Sequence, residues 1–269
     1  MFTRKNLQFP HKAVLTRGML QEIYDSPREF FRLMYEGFSD GIICGLNYFV
    51  RDGALILSAG VFRLQGELYF LAEDFNLSAL AEKNNLNANQ KYAVTFKKIS
   101  RQKEQCIEEI ELEPTFSAGG GVTLGEFRFF SADGFYLPEL ASGDDPFKNI
   151  FRSGVFNLLE VPAAAREEAT FHPQLFKIVR EFLSTKKNRT PFDCAILVQL
   201  QSGEIIPVET IRAYISAEKG SCDFKNRRDL FRAFCDCLIS AKFTAAAYKN
   251  SDAPETQTSR PRRSEGKLI

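Results

Sequence analysis

The residues able to do chemistry are few and poorly grouped. Nucleophilic catalysis needs a Ser or Cys beside a base, and the histidines are two, His11 and His172. His11 lies in an N-terminal segment that reads as flexible. His172 immediately precedes a helical pattern and is better explained as a helix cap. Asp193 and Cys194 could join His172 in a Cys-His-Asp arrangement, but adjacency in sequence does not assemble a triad, and a buried cysteine is the simpler reading. Cys222, Cys235 and Cys237 offer three thiols for zinc, yet Cys235 and Cys237 would point about 200° apart around one helix, which closes no tetrahedron.

Phosphate chemistry fares no better. A P-loop requires a Gly-rich turn ending in Lys-Ser/Thr, whereas Gly266-Lys267 is followed by Leu268, and Gly119-Gly120-Gly121 has no such Lys-Ser/Thr after it. The latter reads as a flexible loop. The acidic run Glu108-Glu109-Ile110-Glu111-Leu112-Glu113 invites a paired-carboxylate or metal reading. Its alternation puts Glu109, Glu111 and Glu113 on one strand face and Ile110 and Leu112 on the other, the pattern of a half-exposed strand. A basic set for nucleic acid would be Lys225, Arg227, Arg228 and Arg232 with Phe224 and Phe231, plus Arg260, Arg262 and Arg263. No helix-turn-helix or RNA-binding signature accompanies it. These residues therefore supply no catalytic, cofactor-binding or metal-ligating assignment, and the expectation is a protein that is not an enzyme.

The elements that would position these groups read as α+β. Ser26-Pro27-Arg28-Glu29 has the form of a capping box with Pro at the first helical position. It predicts a helix whose apolar face carries Phe30, Phe31, Met34 and Tyr35 and which ends at Gly37, with a separate helical turn before it over Thr16 to Tyr24. Short alternating runs at Ile42–Cys44, Tyr48–Val50, Ala54–Leu57 and Leu68–Leu71 predict strands, turned by Asp52-Gly53 and Gln65-Gly66. A polar helix or loop is expected at Leu77–Asn89, and a strand at Tyr92–Phe96 with Ile107–Leu112 as its partner. The intervening Lys97 to Gln105 reads as a solvated loop. Phe127–Phe130 and Phe135–Leu137 suggest a further hairpin around Ala132-Asp133-Gly134.

The remainder is mainly helical. Pro173 opens a helix lined by Leu175, Phe176, Ile178, Val179, Phe182 and Leu183. Phe192–Leu200 is either a buried strand or a short helix, which periodicity does not separate. Pro207 opens another helix with Val208, Ile211, Tyr214 and Ile215, and Asp223 is placed to cap a last one carrying Leu230, Phe231, Phe234 and Leu238. The expected division is a helical segment over 1–40, a β-rich domain over 41–145, a mainly helical domain over 146–250 and a disordered tail over 251–269, too poor in apolar residues to offset ordering.

Composition bounds the rest. The chain has 269 residues with 35 basic and 34 acidic side chains, a balance that gives no argument for a polyanion partner. The six cysteines, including Cys44 and Cys106, are scattered and read as free thiols. Its apolar runs fall short of the roughly 20 residues that cross a bilayer. The N-terminus lacks the apolar core of a secretory signal, so cytoplasmic synthesis is expected. With 26 phenylalanines and no tryptophan, the rings imply either an aromatic core or faces covered by other subunits.

One segment carries a resemblance. Gly41-Ile42-Ile43-Cys44-Gly45-Leu46, a hairpin over Asp52-Gly53, and a return strand with Gly60 and Gly66 make up residues 41–70, about a ninth of the chain. This pattern resembles attachment regions of phage tail-fibre and baseplate proteins, which are small β domains that assemble around a tail axis. The resemblance implies a phage or prophage tail or baseplate component working by protein–protein contact, with tail or baseplate proteins or further copies of itself as partners and incorporation into a virion or phage-like particle. The alternative is a nucleic-acid-associated accessory protein without motor activity.

Overall fold

A computed structural model describes residues 14, 16–84, 91–104, 107–117, 123–128, 136–152, 156–203, 205–220, 223–224 and 226–240. The expected hairpin turn at Ala132-Asp133-Gly134, the triglycine run at Gly119–Gly121 and the tail lie outside them. The fold is α+β: one helix, then small antiparallel sheets, then helices.

Helix α1 spans Arg17–Met34, so the expected start at Ser26 is corrected. Thr16 caps the helix, its hydroxyl accepting the Met19 N–H at 3.3 Å, and Pro27 lies inside. Proline removes one main-chain bond, but side-chain bonds bridge the gap. Arg28 donates to the Tyr24 hydroxyl at 2.7 Å and Gln21 donates to Asp25 at 2.9 Å. The stretch expected as a separate turn is thus the first half of one helix, and Gly37 follows its end at φ +80°.

Strands β1 (Gly41–Gly45), β4 (Gly60–Leu64) and β5 (Glu67–Leu71) form one sheet in the order β1-β4-β5, while β2 (Tyr48–Arg51), β3 (Ala54–Leu57) and β6 (Phe75–Asn76) form another in the order β2-β3-β6. The chain alternates between the two. Asp52-Gly53 and Gln65-Gly66 turn with φ of 53° and 78°, and of 53° and 83°, the positive pairs that type I′ hairpins require. At the β1–β4 end, Gly45 has φ +67° and an added Cβ would stand 2.2 Å from the Ala59 carbonyl oxygen, so no larger residue fits. Helix α2 (Leu77–Lys83) packs on β3, whose Leu55, Ile56 and Leu57 are all buried instead of alternating.

The third sheet has the order β8-β7-β9, with β7 over Lys91–Glu104, β8 over Ile107–Ser117 and β9 over Thr123–Arg128. The solvated loop expected from Lys97 is corrected: pairing continues through Lys97↔Glu113 and Arg101↔Glu109. Polar side chains do not remove the need to pair main-chain groups, and the ladder supplies that pairing here.

Four longer helices follow: α3 (Pro173–Thr185), α4 (Pro191–Ser202), α5 (Val208–Lys219) and α6 (Arg227–Ser240). The run at Phe192–Leu200 is helical because Thr190 and Asp193 form a reciprocal capping box, at 3.0 and 2.8 Å, with Pro191 between them. The cap of α6 is Asn226, whose side-chain oxygen accepts the Asp229 N–H at 2.8 Å, and not Asp223. Asn226 stands immediately before the helix, where a short side chain reaches the free N–H groups.

One hydrophobic cluster runs from Ile42 to Leu238. It crosses the expected division near residue 145: the Ile42 N–H donates to Pro162, Ala164 returns a bond to Ile42, and the Tyr48 ring lies 4.4 Å from Phe156. Gln174 bonds both main-chain groups of Tyr48, at 2.7 and 2.6 Å.

Candidate functional site

The candidate site is an exposed apolar face on α1. Each helical residue advances about 100°, so Met19, Leu20, Ile23, Tyr24, Pro27, Phe30, Phe31 and Met34 share an uninterrupted arc of about 140°. An arc of that width ordinarily faces a core. Here no residue of the helix is buried. Leu20 is 52% exposed, Phe30 63% and Met34 56%. On the polar side, Arg28 reaches Glu67 of β5 at 3.9 Å.

Charge is distributed unevenly around the remaining arc. Arg17, Arg28 and Arg32 follow the Tyr24 side of the apolar face, and Asp25, Glu29 and Glu22 occupy the side beyond. Arg32 forks onto Glu29 at 2.9 and 2.7 Å. That hydrogen bond and the accompanying charge attraction hold the Glu29 carboxyl below its ordinary pKa and raise that of Arg32.

The residues singled out in the sequence are placed elsewhere, and most are engaged. His172 is fully buried and caps α3: its Nδ1 accepts the Gln174 N–H at 3.1 Å and its Nε2 lies 3.2 Å from the Leu46 carbonyl. An accepting Nδ1 and a carbonyl acceptor beyond Nε2 require the neutral tautomer protonated at Nε2. Burial lowers its pKa to about 4 against the opposing effect of the Leu46 bond, with the Lys177 charge a smaller depressing influence. Both ring nitrogens are therefore occupied, which leaves no lone pair to activate Cys194. That cysteine is exposed, while its neighbour Asp193 points inward. Asp193 accepts from Lys186 at 2.7 Å, from the Tyr214 hydroxyl at 2.9 Å and from the Thr190 N–H. Lys186 also donates to Leu238 at 2.7 Å, so one buried network ties α3, α4, α5 and α6 together. Burial first, and Asp193 second, raise the Tyr214 pKa.

Cys235 and Cys237 are buried in α6, and burial pushes the Cys235 thiol well above its ordinary pKa, which disfavours the reactive thiolate. Cys222, Cys106, His11, Lys225 and the Gly266-Lys267 pair lie outside the described residues, as do Arg260, Arg262 and Arg263. The Glu108–Glu113 run lies on β8 opposite β7. Among the described residues, no group of three or more His, Cys, Asp and Glu side chains is arranged to hold a metal ion, and no helix is long and apolar enough to cross a membrane.

Of the basic residues of α6, Arg227 is turned inward, while Arg228 and Arg232 are exposed. Arg227 donates to the carbonyls of Leu159, Ala169 and Thr170 at 3.0, 3.1 and 2.7 Å and lies over the Phe171 ring at 4.6 Å. Burial lowers its pKa, offset by Glu160 and Glu168. Arg228 donates to the Phe151 carbonyl at 2.7 Å, and Arg232 covers the Phe151 ring at 4.2 Å. Phe231 is buried and Phe224 packs against the core.

The apolar face was partly legible, since Phe30, Phe31 and Met34 stand at helical spacing; Leu20, Ile23 and Tyr24 extend it once the helix start moves to Arg17. The Asp193 network was missed, although Thr190-x-x-Asp193 is a capping-box signal. No protein-family model matches the chain, and no curated protein matches it.

Proposed function

We propose that this chain is a non-enzymatic assembly component of a phage or prophage tail or baseplate, made in the cytoplasm and working in the particle through protein–protein contacts. The observation that carries the reading is the uncovered apolar face of α1. An isolated helix of this length is marginal in water, and an interior proline costs about 3 kcal/mol. Fully covering one large apolar side chain contributes about 1.5–3 kcal/mol, so burying even a few of these residues against a neighbour offsets the proline.

The β1–β5 region adds support of a second kind. Its strands are short, they carry the tail-like pattern of residues 41–70, and Phe70 on the edge strand β5 is 67% exposed, a combination suited to pairing with another subunit. The commitment of Arg227 to three main-chain carbonyls weakens the nucleic-acid alternative, because a guanidinium spent inside the fold is not free to neutralise a phosphate.

The test is incorporation. Tailed particles purified from the source organism should contain the wild-type chain, and Phe30→Glu/Phe31→Glu should fold normally yet be missing from them. Particles that lack the wild-type chain would sink the tail or baseplate reading.

A further inference from the structure

We infer that the outward face of α4 is the docking surface for the chain's own C-terminal segment, residues 241–250. This contact lies within one chain and does not depend on the tail or baseplate reading. The one charged side chain of Pro191–Ser202 is Asp193, and it is buried against Lys186 and Tyr214. Ile196 and Leu200 face the core. At about 100° per residue, Pro191, Cys194, Ala195 and Val198 stand on the opposite side with Phe192 at its rim, and all five are exposed. Phe192 is 51% exposed and Val198 63%. The neighbouring helices turn charge outward instead: α3 presents Lys177, Arg180 and Glu181, and α5 presents Glu209, Arg212 and Glu218. A helix without a charged face belongs against another surface.

The end of α6 names that surface. Lys186 donates at 2.7 Å to the Leu238 carbonyl of α6 and at 2.7 Å to the Asp193 carboxylate of α4, so one ammonium joins the last turn of α6 to the first turn of α4. The described residues end two positions later, at Ser240. The next ten are Ala241-Lys242-Phe243-Thr244-Ala245-Ala246-Ala247-Tyr248-Lys249-Asn250, which hold the last aromatic side chains of the sequence. At helical spacing Phe243, Thr244, Ala247 and Tyr248 share one side and Lys242 and Lys249 the other. Such a stripe meets an uncharged surface while both ammoniums stay in water. Reach is sufficient: ten helical residues cover about 15 Å and the 12 residues of α4 about 18 Å. Joined directly to α6, the segment has an effective concentration of order millimolar at α4, which a second copy or a separate partner lacks.

Cys194 reports on this face, and the experiment uses the full-length protein with N-ethylmaleimide as probe and peptide masses as readout. In the wild type Cys194 should react at least about tenfold more slowly than in the urea-unfolded chain, because a docked segment restricts access to the thiolate. The protection should be the same at every protein concentration. Phe243→Glu/Tyr248→Glu should remove it, raising the rate at least about tenfold, since a charged stripe no longer gains by covering apolar surface. Val198→Glu should do the same from the α4 side. Lys242→Glu/Lys249→Glu, on the solvent side, should stay within about twofold of the wild type. Labelling of the exposed Cys44 on β1 should be unchanged in every variant.

A wild-type Cys194 as reactive as in urea would overturn the inference, and that measurement stands even for a variant that fails to fold. So would protection that grows with protein concentration, the mark of a second copy. Protection that survives Phe243→Glu/Tyr248→Glu in a folded chain would overturn it as well.

Discussion

Helices α1 and α3 carry the same kind of sequence pattern and have opposite fates. In α3, Leu175, Phe176, Ile178, Val179 and Leu183 line one stripe and all are buried, with Phe176 reaching Phe171 and Phe231 at 6.5 and 6.4 Å. In α1 an equally continuous stripe of Leu20, Ile23, Phe30, Phe31 and Met34 is exposed. Periodicity reports that a face must be covered; it does not report whether the same chain does the covering. Among the described residues the phenylalanines divide along the same line. Phe171, Phe176, Phe231 and Phe234 form the aromatic interior, whereas Phe30, Phe31, Phe70 and Phe192 stand at the surface.

The largest difference should appear between two phenylalanines. Phe231→Ala removes a ring packed 4.8 Å from Phe171 and 6.1 Å from Phe234 and should cost about 3–5 kcal/mol. Phe31→Ala, at an exposed position, should change stability by less than about 0.5 kcal/mol. Urea unfolding of the two variants checks this, and comparable losses would erase the contrast between the helices.

Asp193→Ala should cost a similar about 3–5 kcal/mol, because it takes the carboxylate from the largely buried Lys186 ammonium and leaves Tyr214 and the Thr190 N–H without this acceptor. Replacing its exposed counterpart, Glu29→Ala, should leave the unfolding transition nearly where it is, because water screens a surface pair. Calorimetry of both variants separates the buried network from the surface pair.

Acid should act through the interior. His172 takes up a proton near pH 6.5 when unfolded but only near 4 in the fold. Between those values the unfolded state binds more protons, so stability is complete above pH 6.5 and declines as the pH falls towards 4, by up to about 3 kcal/mol. His172→Asn keeps a capping acceptor and should lose this component of the pH dependence, seen as a shallower slope of the urea midpoint against pH. An unchanged slope would mean that other groups govern it.

The smallest global effect should come from Pro27→Ala. It restores a helical N–H and should favour α1 locally by up to about 3 kcal/mol, slowing hydrogen exchange across Arg17–Met34. The melting temperature of the core should not move, since no α1 side chain is buried in it. A raised core melting temperature would show that α1 and the body fold as one unit.

Much of the local structure was legible because it follows from short-range chemistry. Asp52-Gly53 and Gln65-Gly66 announce hairpins through their tolerance of positive φ, and Pro173 with its apolar stripe announces α3. His172 was readable as a cap because it stands one residue before a proline at the first helical position. The errors share a different origin. Pro27 looked like a helix start because a proline is best accommodated there, but Thr16 supplied an earlier cap and the helix tolerated the proline. The polar run after Phe96 looked like a loop because solvation was taken as a sign of irregular backbone. Its strand partner, beginning at Ile107, satisfies the main chain whatever the side chains do.

By itself the sequence determined the α+β class, the hairpin turns at Asp52-Gly53 and Gln65-Gly66 and the existence of an amphipathic first helix, since caps, turn residues and periodicity act over a few neighbours. Only the tertiary structure decided which faces were covered. Arg227, one of a basic cluster in sequence, became an internal clamp because carbonyls of Leu159, Ala169 and Thr170 converge on it. Asp193 sits buried with Lys186 and Tyr214 because three helices meet there. The face of α1 is exposed because, among the described residues, no element packs against it. Burial and pairing depend on residues distant in the chain, and that information is set when the elements pack together.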